Sequence, residues 1–437
     1  MKGYSCERRF GWDCHGLPIE YEIDKIHKIG SSADREALGV KKYNELCREI
    51  VMRYSSQWRD VVGRFGRWID FDNDYKTMDK EFMESVWWAF KSIYDKDLVY
   101  RGSKIMPFST ACNTVLSNHE AGSNYKKVPD PAIMVSFPIV DDAEGTAFLA
   151  WTTTPWTLPS NLALAVNPKE DYVRWQNEED QKIYVCMKAR FADVCKQSKT
   201  KKAKVLNEMK GAELVGASYK PPFPYFESRR ADGCFKVLGA DFVTTDAGTG
   251  VVHCAPGFGE DDYAACVANN YIEPGKAPVP IDQDGCFLDP ISDYKGIYVK
   301  DADKQIMADL KAAGKLFSSG TVQHEYPFCW RSQTPLLYRA FDCWFIKVPE
   351  IKERLIELNR TNKWVPTFVQ EKRFHNWLDD VKDWCFSRNR YWGNPIPIWI
   401  SDDGEEVVCV GSIAELKELS GYEGDLDDIH KEFVDEI

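Results

Sequence analysis

Residues 146–154 have the sequence TAFLAWTTT, a short run of apolar, aromatic and β-branched side chains that ends in threonines. Further runs of this kind are AIMVSF at 132–137, KIYVCM at 182–187, FKVLG at 235–239, TGVVHCA at 249–255 and GIYVK at 296–300. Such runs, separated by turn residues, are typical of β-strands. Residues 126–324 are therefore predicted to form a β-rich module with short helices, such as one at 300–314.

The sequence on both sides of this module has a helical pattern. Residues 33–66 and 78–96 place apolar side chains at helical spacing with charged residues between them. Helical spacing returns at about 350 and again at 371–387, and PIPIWI at 395–400 predicts a further strand. Helices on both sides of a β-rich middle predict an insertion inside a parent α/β domain.

Composition limits the class of protein. A length of 437 residues predicts two or three domains, and a hydrophobic content of 44% is enough to form their cores. No apolar stretch is long enough to span a membrane, and the first residues lack the apolar core of a signal peptide. The 14 cysteines contain no CxxC pair, so reduced thiols in the cytoplasm are expected. The net charge of −12 still permits a local basic groove, so charge alone does not decide whether a nucleic acid binds.

Residues 11–20, GWDCHGLPIE, form the first of three segments whose polar residues could bind a ligand or take part in a reaction. Asp13 lies in a turn that is otherwise apolar and rich in glycine. Its carboxylate could pair with an ammonium group, or it could only cap the turn.

The second segment is WTTTPWTLPSN, residues 151–161. Thr152, Thr153, Thr154 and Thr157 crowd one junction between a strand and a loop. Threonine hydroxyls donate and accept hydrogen bonds, so the cluster could hold ribose hydroxyls, phosphate or a carbonyl group. The alternative is a β-strand in which threonines merely suit the pleated backbone.

The third segment is GTGVVHCAPGFGEDDY, residues 248–263. A predicted strand ends at His253, and a loop of proline and glycine then leads to the carboxylates Glu260, Asp261 and Asp262. A carboxylate can bind an α-ammonium group or help to activate water. The alternative is that these carboxylates only cap a helix N-terminus.

Two other roles for His253 have less support in the sequence. A catalytic pair with Cys254 is excluded, because adjacent residues on a strand point to opposite faces. Metal binding with a carboxylate lacks a supporting cluster of ligands in the sequence.

The three segments together resemble class I aminoacyl-tRNA synthetases of the branched-aliphatic group. Further matches, in the order of the family, are GRWIDFDNDYKTMD at 66–79, STACNTVLSNHE at 109–120, YPFCWRSQTPL at 326–336 and WCFSRNRYWGNPIPIW at 384–399. The TTTPW sequence resembles the isoleucyl type, and residues 8–23 and 66–79 resemble its eukaryotic cytosolic and archaeal branch.

The resemblance implies an α/β fold: an incomplete, Rossmann-like class I catalytic domain that is interrupted by a β-rich, β-barrel-like α+β editing insertion. It places parts of the catalytic domain at 1–125 and 325–437, and the editing domain at 126–324.

The resemblance also implies a reaction. An apolar pocket rejects valine in favour of isoleucine by only about 1–3 kcal/mol, a figure for which this family is itself the standard example. A second site removes the error by hydrolysing the ester that joins valine to the terminal ribose of the tRNA. The implied partners are the 3′ end of tRNA(Ile) and a valine or isoleucine moiety. The editing reaction needs no cofactor, and a monomer is expected.

The family's roles map onto three residues of the editing segments as catalytic groups, namely Asp262, Thr153 and His253. Asp262 is implied to hold the α-ammonium, and His253 to line the side-chain pocket and exclude isoleucine by size. The implied substrate-binding residues are Thr152, Thr154, Thr157 and Asn161 around the terminal adenosine, and Asp13 and Trp392 around a remnant of the amino-acid site.

Two features of the sequence depart from the family. Where bacterial relatives often have CxxC pairs for zinc, this sequence has one cysteine in each place, Cys112 and Cys329. Half of a tetrahedral thiolate site would be missing, so no structural zinc is expected.

The leading hypothesis for the function is an editing hydrolase within part of a synthetase. The alternatives are a catalytically silent fragment that binds tRNA or a partner, and a valyl-type enzyme that removes threonine.

The HIGH-type and KMSKS-type motifs, which stabilise the phosphates of ATP and its Mg²⁺ in the full-length enzymes of the family, are not found in this sequence. Without them, the charge that develops on the α-phosphate has few partners. We expect this chain alone to give no useful aminoacylation. A measurable rate of ATP–pyrophosphate exchange would contradict that expectation.

Overall fold

The computed structural model describes residues 3–437, apart from the side chains of residues 118 and 119. The chain divides into two compact units, one formed by Met1–Gly102 with Cys343–Ile437 and the other by Ser103–Asp342. The second unit begins before and ends after the predicted insertion at 126–324, whose boundaries stay a prediction. Among the described residues, no helix has both the length and the apolar character needed to cross a membrane.

The fold is mixed α/β with several sheets, as the sequence predicts. The helices are α1 Leu17–His27, α2 Ser32–Leu38, α3 Val40–Arg64, α4 Lys80–Tyr94, α5 Asn118–Gly122, α6 Phe191–Ser198, α7 Gly211–Leu214, α8 Glu260–Ala268, α9 Val299–Ala312, α10 Lys352–Thr361, α11 His375–Asp379, α12 Ile413–Ser420 and α13 Lys431–Val434. The strands are β1 Arg9–Trp12, β2 Asp70–Lys76, β3 Val99–Ser109, β4 Thr114–Val115, β5 Tyr125–Pro138, β6 Ala147–Thr152, β7 Ala163–Val166, β8 Asp171–Asn177, β9 Ile183–Met187, β10 Ala203–Lys210, β11 Val237–Gly239, β12 Val251–Cys254, β13 Leu316–Pro327, β14 Leu337–Ile346, β15 Trp384–Cys385, β16 Ile398–Ile400 and β17 Val407–Cys409.

The second unit contains a six-stranded sheet in the order β10-β8-β9-β6-β5-β13. The central strands β6 and β9 and the second half of β5 are buried on both faces, whereas the edge strands β10 and β13 are largely exposed. Ile133 and Val135 of β5 enter one hydrophobic cluster, while Met134 between them enters another. Helix α9 contributes to the first cluster, and α6 contributes Val194 to the second. Burial on both faces explains why the central strands are continuous apolar runs and do not alternate with polar residues.

A three-stranded sheet, in the order β11-β7-β12, packs into the first of these clusters. Strand β7 is parallel to β11 and antiparallel to β12, with Ala163 opposite Cys254 and Val166 opposite Val251. All four residues of β7 are fully buried. This short central strand therefore fixes the positions of the segments that precede and follow it.

The first unit is built around the long helix α3. Tyr43, Cys47 and Ile50 of α3 pack against Ile23 of α1 and against Trp392. Strands β1 and β2 form a parallel pair, and β16 and β17 form an antiparallel pair. The helix predicted at 33–66 is present as α2 and α3, which are separated at Gly39.

Two predictions for single elements were wrong. The GIYVK run at 296–300 is not a strand, because Val299 is the first residue of α9 and packs into the core. The helix predicted over 371–387 is present only in its first part, as a π-helical turn at Val369–Phe374 followed by α11, and Trp384–Cys385 forms β15 by pairing with β14. In both places tertiary contacts override the local pattern.

The turn between β12 and α8 depends on a glycine. A Cβ atom on Gly257 would lie 2.1 Å from the backbone oxygen of Pro278, which cannot move as freely as a side chain. Gly257→Ala should therefore lower the free energy of unfolding by roughly 1–3 kcal/mol. Gly122→Ala is the control, because a Cβ there meets nothing within 4 Å. Urea denaturation of both variants measures the difference, and equal stabilities would contradict the expectation.

Candidate functional site

A pocket with a cavity volume of about 380 Å³ lies within the second unit. Its walls come from the end of β6 and the turn that follows it, from β12, and from the start of α8. Two predicted segments, 151–161 and 248–263, thus meet at one cavity. The residues that line it include Thr152, Thr153, Thr154, Thr157, His253 and Asp262.

The threonines lie on a turn whose backbone is fixed by hydrogen bonds. Only Thr152 belongs to β6, and a 3-10 turn over Pro155–Ser160 follows Thr154. The backbone N–H of Thr154 donates to Oγ1 of Thr152 at 3.1 Å, and Oγ1 of Thr157 donates to the carbonyl of Thr154 at 2.8 Å. The cluster is therefore not a run of threonines on a pleated strand, since most of its hydroxyls are held by the turn.

Asp303 of α9 anchors the same turn and is not among the residues predicted from the sequence. Its Oδ1 accepts a hydrogen bond from the backbone N–H of Trp156 at 2.9 Å. Burial raises the pKa of Asp303 to about 7, although the Trp156 hydrogen bond opposes this rise. Asp303 is 147 positions from Trp156 in the sequence and looks like an ordinary acidic residue of a helix, so no local pattern identifies it.

His253 lies on β12 and is 7% exposed. Its Nε2 is 2.9 Å from Oγ1 of Thr157, and its Nδ1 is 3.0 Å from Nδ2 of Asn161. Burial lowers the pKa of His253 to about 3, so the imidazole is neutral at physiological pH. The neighbouring Cys254 packs into the hydrophobic core, as expected for the opposite face of the strand.

Asp262 is the only one of the three neighbouring carboxylates that lines the pocket, because Glu260 and Asp261 are exposed at the start of α8. Its Oδ2 accepts a hydrogen bond from the backbone N–H of Ala255 at 2.9 Å. Burial raises the pKa of Asp262 to about 6, a rise that the Ala255 hydrogen bond opposes and Asp261 reinforces. At pH 7 the Asp262 carboxyl group is therefore ionised in most molecules.

Asn161 is buried behind the pocket wall and is 2% exposed. It is not among the residues that line the cavity. Its amide instead contacts His253, the carbonyl of Ala163 and the hydroxyl of Tyr219. The predicted direct contact between Asn161 and a substrate therefore stays a prediction, and Tyr219 is a further residue of this site that was not predicted from the sequence.

Asp13 and Trp392 belong to the other unit. Trp392 is fully buried, donates from Nε1 to the carbonyl of Cys14 at 2.6 Å, and lines a separate cavity of about 450 Å³. The backbone N–H groups of Tyr391 and Trp392 both donate to Glu20 at 2.9 Å, so the segments around 11–20 and 384–399 are joined. Asp13 is exposed and is not among the residues that line this cavity.

Cys112 and Cys329, in the places considered for zinc, lie with their sulfur atoms 3.9 Å apart. The backbone N–H of Cys112 donates to Oγ of Ser109 at 3.3 Å, and the backbone N–H of Ser332 donates to Sγ of Cys329 at 3.5 Å. Within residues 3–437, no group of three or more His, Cys, Asp or Glu side chains is placed to hold a metal ion. Two thiols do not supply the donor set of a structural zinc site.

Comparison with known proteins identifies the family. The family model described as tRNA synthetases class I (I, L, M and V) matches residues 1–437. The chain belongs to this family.

Within it, the chain is similar to isoleucine–tRNA ligases, as the TTTPW sequence predicts. It is 56% identical over 439 residues to the isoleucine–tRNA ligase of Tetrahymena thermophila, an alignment that covers 100% of this chain and 40% of the relative. It is 52% identical over 438 residues to the cytoplasmic isoleucine–tRNA ligase of Mus musculus, covering 100% of this chain and 34% of the relative. The chain thus spans well under half the length of these curated relatives.

Among solved structures, the chain is similar to the editing domain of cytosolic leucyl-tRNA synthetase from P. knowlesi. The match has a TM-score of 0.33 and 13% identity, and it covers 47% of this chain and 99% of that chain.

The raised pKa of Asp262 predicts a gain in stability when its charge is removed. A pKa raised from 3.8 to about 6 means that the carboxyl stabilises the fold below pH 4, and that this stabilisation is lost as the pH rises through 6. Asp262→Asn should therefore raise the free energy of unfolding at pH 8 by roughly 1–3 kcal/mol, and by much less at pH 4.

Urea denaturation at the two pH values measures this difference, with the exposed neighbour Asp261→Asn as the control. A loss of stability in Asp262→Asn at pH 8 would show that the carboxylate, as an ion, is held by favourable contacts.

Proposed function

We propose that this chain carries the editing site of an isoleucine–tRNA ligase and hydrolyses Val-tRNA(Ile). The bond that breaks is the ester between the valine carbonyl and the terminal ribose, and water supplies the hydroxyl group. The observation that carries the proposal is the convergence of Asp262, His253 and the threonine turn on one pocket. ATP-dependent ligation of isoleucine to tRNA(Ile), which uses Mg²⁺, is proposed for the whole protein.

Asp262 supports the proposal through charge. An ester-linked amino acid has a free α-ammonium group, and a partly buried carboxylate pairs with it strongly. The pocket has space for this contact because Gly259, which precedes α8, has no side chain, and a Cβ there would lie 2.6 Å from the Asp262 carboxylate. Binding of the ammonium would also lower the raised pKa of Asp262.

The threonine turn and His253 support the proposal through shape and polarity. Thr152, Thr153 and Thr154 offer hydroxyl groups to the terminal adenosine and to the attacking water. His253 forms part of the wall against which the amino-acid side chain packs, so a larger side chain than valine is excluded by size. The low pKa of His253 makes it a poor proton acceptor at neutral pH, and a ribose hydroxyl of the tRNA itself assists the proton transfers.

The proposed partners follow from the same assignment. The chain would bind the 3′ end of tRNA(Ile) and the amino acid attached to it, as a monomer in the cytoplasm. Several of its relatives are named as cytoplasmic enzymes, which supports this location. No cofactor is needed for the ester hydrolysis.

Asp262→Ala should all but abolish deacylation of Val-tRNA(Ile), because the α-ammonium loses its only charged partner in the proposed complex. We expect a fall in kcat/KM of roughly a hundredfold, the scale of a charge-assisted hydrogen bond removed from a buried site. Release of labelled valine from Val-tRNA(Ile) measures the rate.

The matched control is Asp261→Ala, which removes the neighbouring exposed carboxylate and should deacylate like the parent chain. Unchanged turnover in Asp262→Ala would overturn the assignment of Asp262. No turnover in the parent chain would favour a silent binding fragment, and faster hydrolysis of Thr-tRNA than of Val-tRNA would favour a valyl-type site.

A further inference from the structure

The hydrogen-bond partners of His253 determine which of its nitrogens carries the proton. Nδ2 of Asn161 lies 2.9 Å from the backbone carbonyl of Ala163 and 3.0 Å from Nδ1 of His253. A carbonyl oxygen only accepts hydrogen bonds, so the nitrogen of the Asn161 amide, and not its oxygen, must face Ala163. The two hydrogens of that nitrogen are then directed to Ala163 and to His253. Nδ1 of His253 therefore accepts and carries no proton.

Tyr219 holds the other side of the same amide. Its hydroxyl donates to Oδ1 of Asn161 at 2.7 Å. The ring is fully buried, with Phe137 and Phe235 packed edge-on against it. Burial raises the pKa of Tyr219 well above its ordinary value, so the hydroxyl keeps its proton. The orientation of the Asn161 amide is therefore fixed from two directions.

We propose that Asn161 and Tyr219 are positioning residues, which hold His253 as the neutral tautomer protonated on Nε2 and thereby leave the hydroxyls of Thr152 and Thr154 able only to accept hydrogen bonds from a bound molecule. The tautomer follows from the geometry alone, and its role in hydrolysis rests on the proposed function. The Nε2–H group donates to Oγ1 of Thr157 at 2.9 Å.

The direction of the hydrogen bonds of Thr157 fixes the direction of the hydrogen bonds of Thr154 and Thr152. The hydroxyl proton of Thr157 is used on the carbonyl of Thr154, so Thr157 must accept in its 3.2 Å contact with Oγ1 of Thr154. The proton of Thr154 is then used as well, so Thr152 must donate in the 3.2 Å contact between Thr152 and Thr154. All three hydroxyl protons are committed within the protein. The lone pairs left on Thr152 and Thr154 can only accept from a bound molecule.

This polarity specifies the chemistry of the ligand. A molecule that fits beside Asp262 and these threonines must present hydrogen-bond donors, such as an ammonium group, ribose hydroxyls or water. Free phosphate oxygens at this position would meet the lone pairs of Thr152 and Thr154 and the carboxylate of Asp262. Because Nε2 of His253 already carries a proton and Nδ1 is occupied by Asn161, the imidazole positions Thr157 and does not remove a proton from water.

The tautomer is measured by long-range ¹H–¹⁵N correlation spectra of the full chain labelled with ¹⁵N-histidine. The chain has 7 histidines, and the signal lost in His253→Gln assigns His253. We expect a protonated Nε2 and a bare Nδ1 between pH 5 and pH 8. A proton on Nδ1, or an imidazolium in this range, would overturn the proposal without any variant.

Asn161→Asp reverses the polarity, because a carboxylate oxygen cannot donate to Nδ1. We expect the proton of His253 to move to Nδ1 and the kcat of Val-tRNA(Ile) deacylation to fall roughly tenfold or more, with KM nearly unchanged. Asn207→Asp, which makes the same change at an exposed position of the same unit, is the control and should alter neither. An unchanged tautomer in Asn161→Asp would overturn the role of Asn161.

Tyr219→Phe is the milder variant and serves if Asn161→Asp does not fold. Ala163 still orients the amide, so the tautomer should persist while kcat falls roughly fivefold, the value of one buried hydrogen bond. An unchanged kcat in Tyr219→Phe would show that Tyr219 is not a positioning residue. If the tautomer is as expected but the parent chain does not deacylate Val-tRNA(Ile), the proposed function fails and the assignment of the proton stands.

Discussion

The antiparallel pairing of β7 with β12 is the constraint on which the candidate site depends. Strand β7 begins at Ala163, directly after the threonine turn, and β12 ends at Cys254, directly before the loop that leads to α8. Because Ala163 pairs with Cys254, the segment before one strand and the segment after the other emerge at the same end of the sheet. The threonine turn and Asp262, which are far apart in the sequence, meet there for this reason.

The same pairing requires polar groups to be placed inside a core. Strand β7 is fully buried, so a histidine opposite Leu164 on β12 can be accommodated only if both of its nitrogens have partners. Thr157 and Asn161 provide them, and Tyr219 in turn satisfies Asn161. Asp262 is treated differently, because it has one backbone donor and a raised pKa in place of a full set of partners. A carboxylate kept short of partners is costly for folding but is ready to bind a cation.

The sequence predicts the parts of this arrangement whose causes are local. The apolar runs at 132–137 and 146–152 are strands because they are buried on both faces. The strand predicted at 296–300 and the second part of the helix predicted at 371–387 were wrong, because long-range packing competes with the local pattern there. The grouping of the threonines, His253 and Asp262 came from family resemblance and not from the patterns themselves. The contacts of Tyr219 and Asp303 join residues 58 and 147 positions apart, and neither residue stands out among its neighbours. Such partners become visible only once the pairing of β7 with β12 is known.

If the pocket has the proposed function, its polar groups cannot distinguish between the competing substrates. Valyl and isoleucyl esters of the same tRNA present an identical ammonium, ribose and adenine to Asp262 and the threonines. A neutral His253 adds no charge that could distinguish two aliphatic side chains. The polar contacts therefore bind both esters equally, and any preference has to arise from volume, at the part of the wall that His253 forms. The additional methylene group of isoleucine must then meet atoms that cannot move. The hydrogen bonds to both nitrogens of His253 keep its imidazole in place.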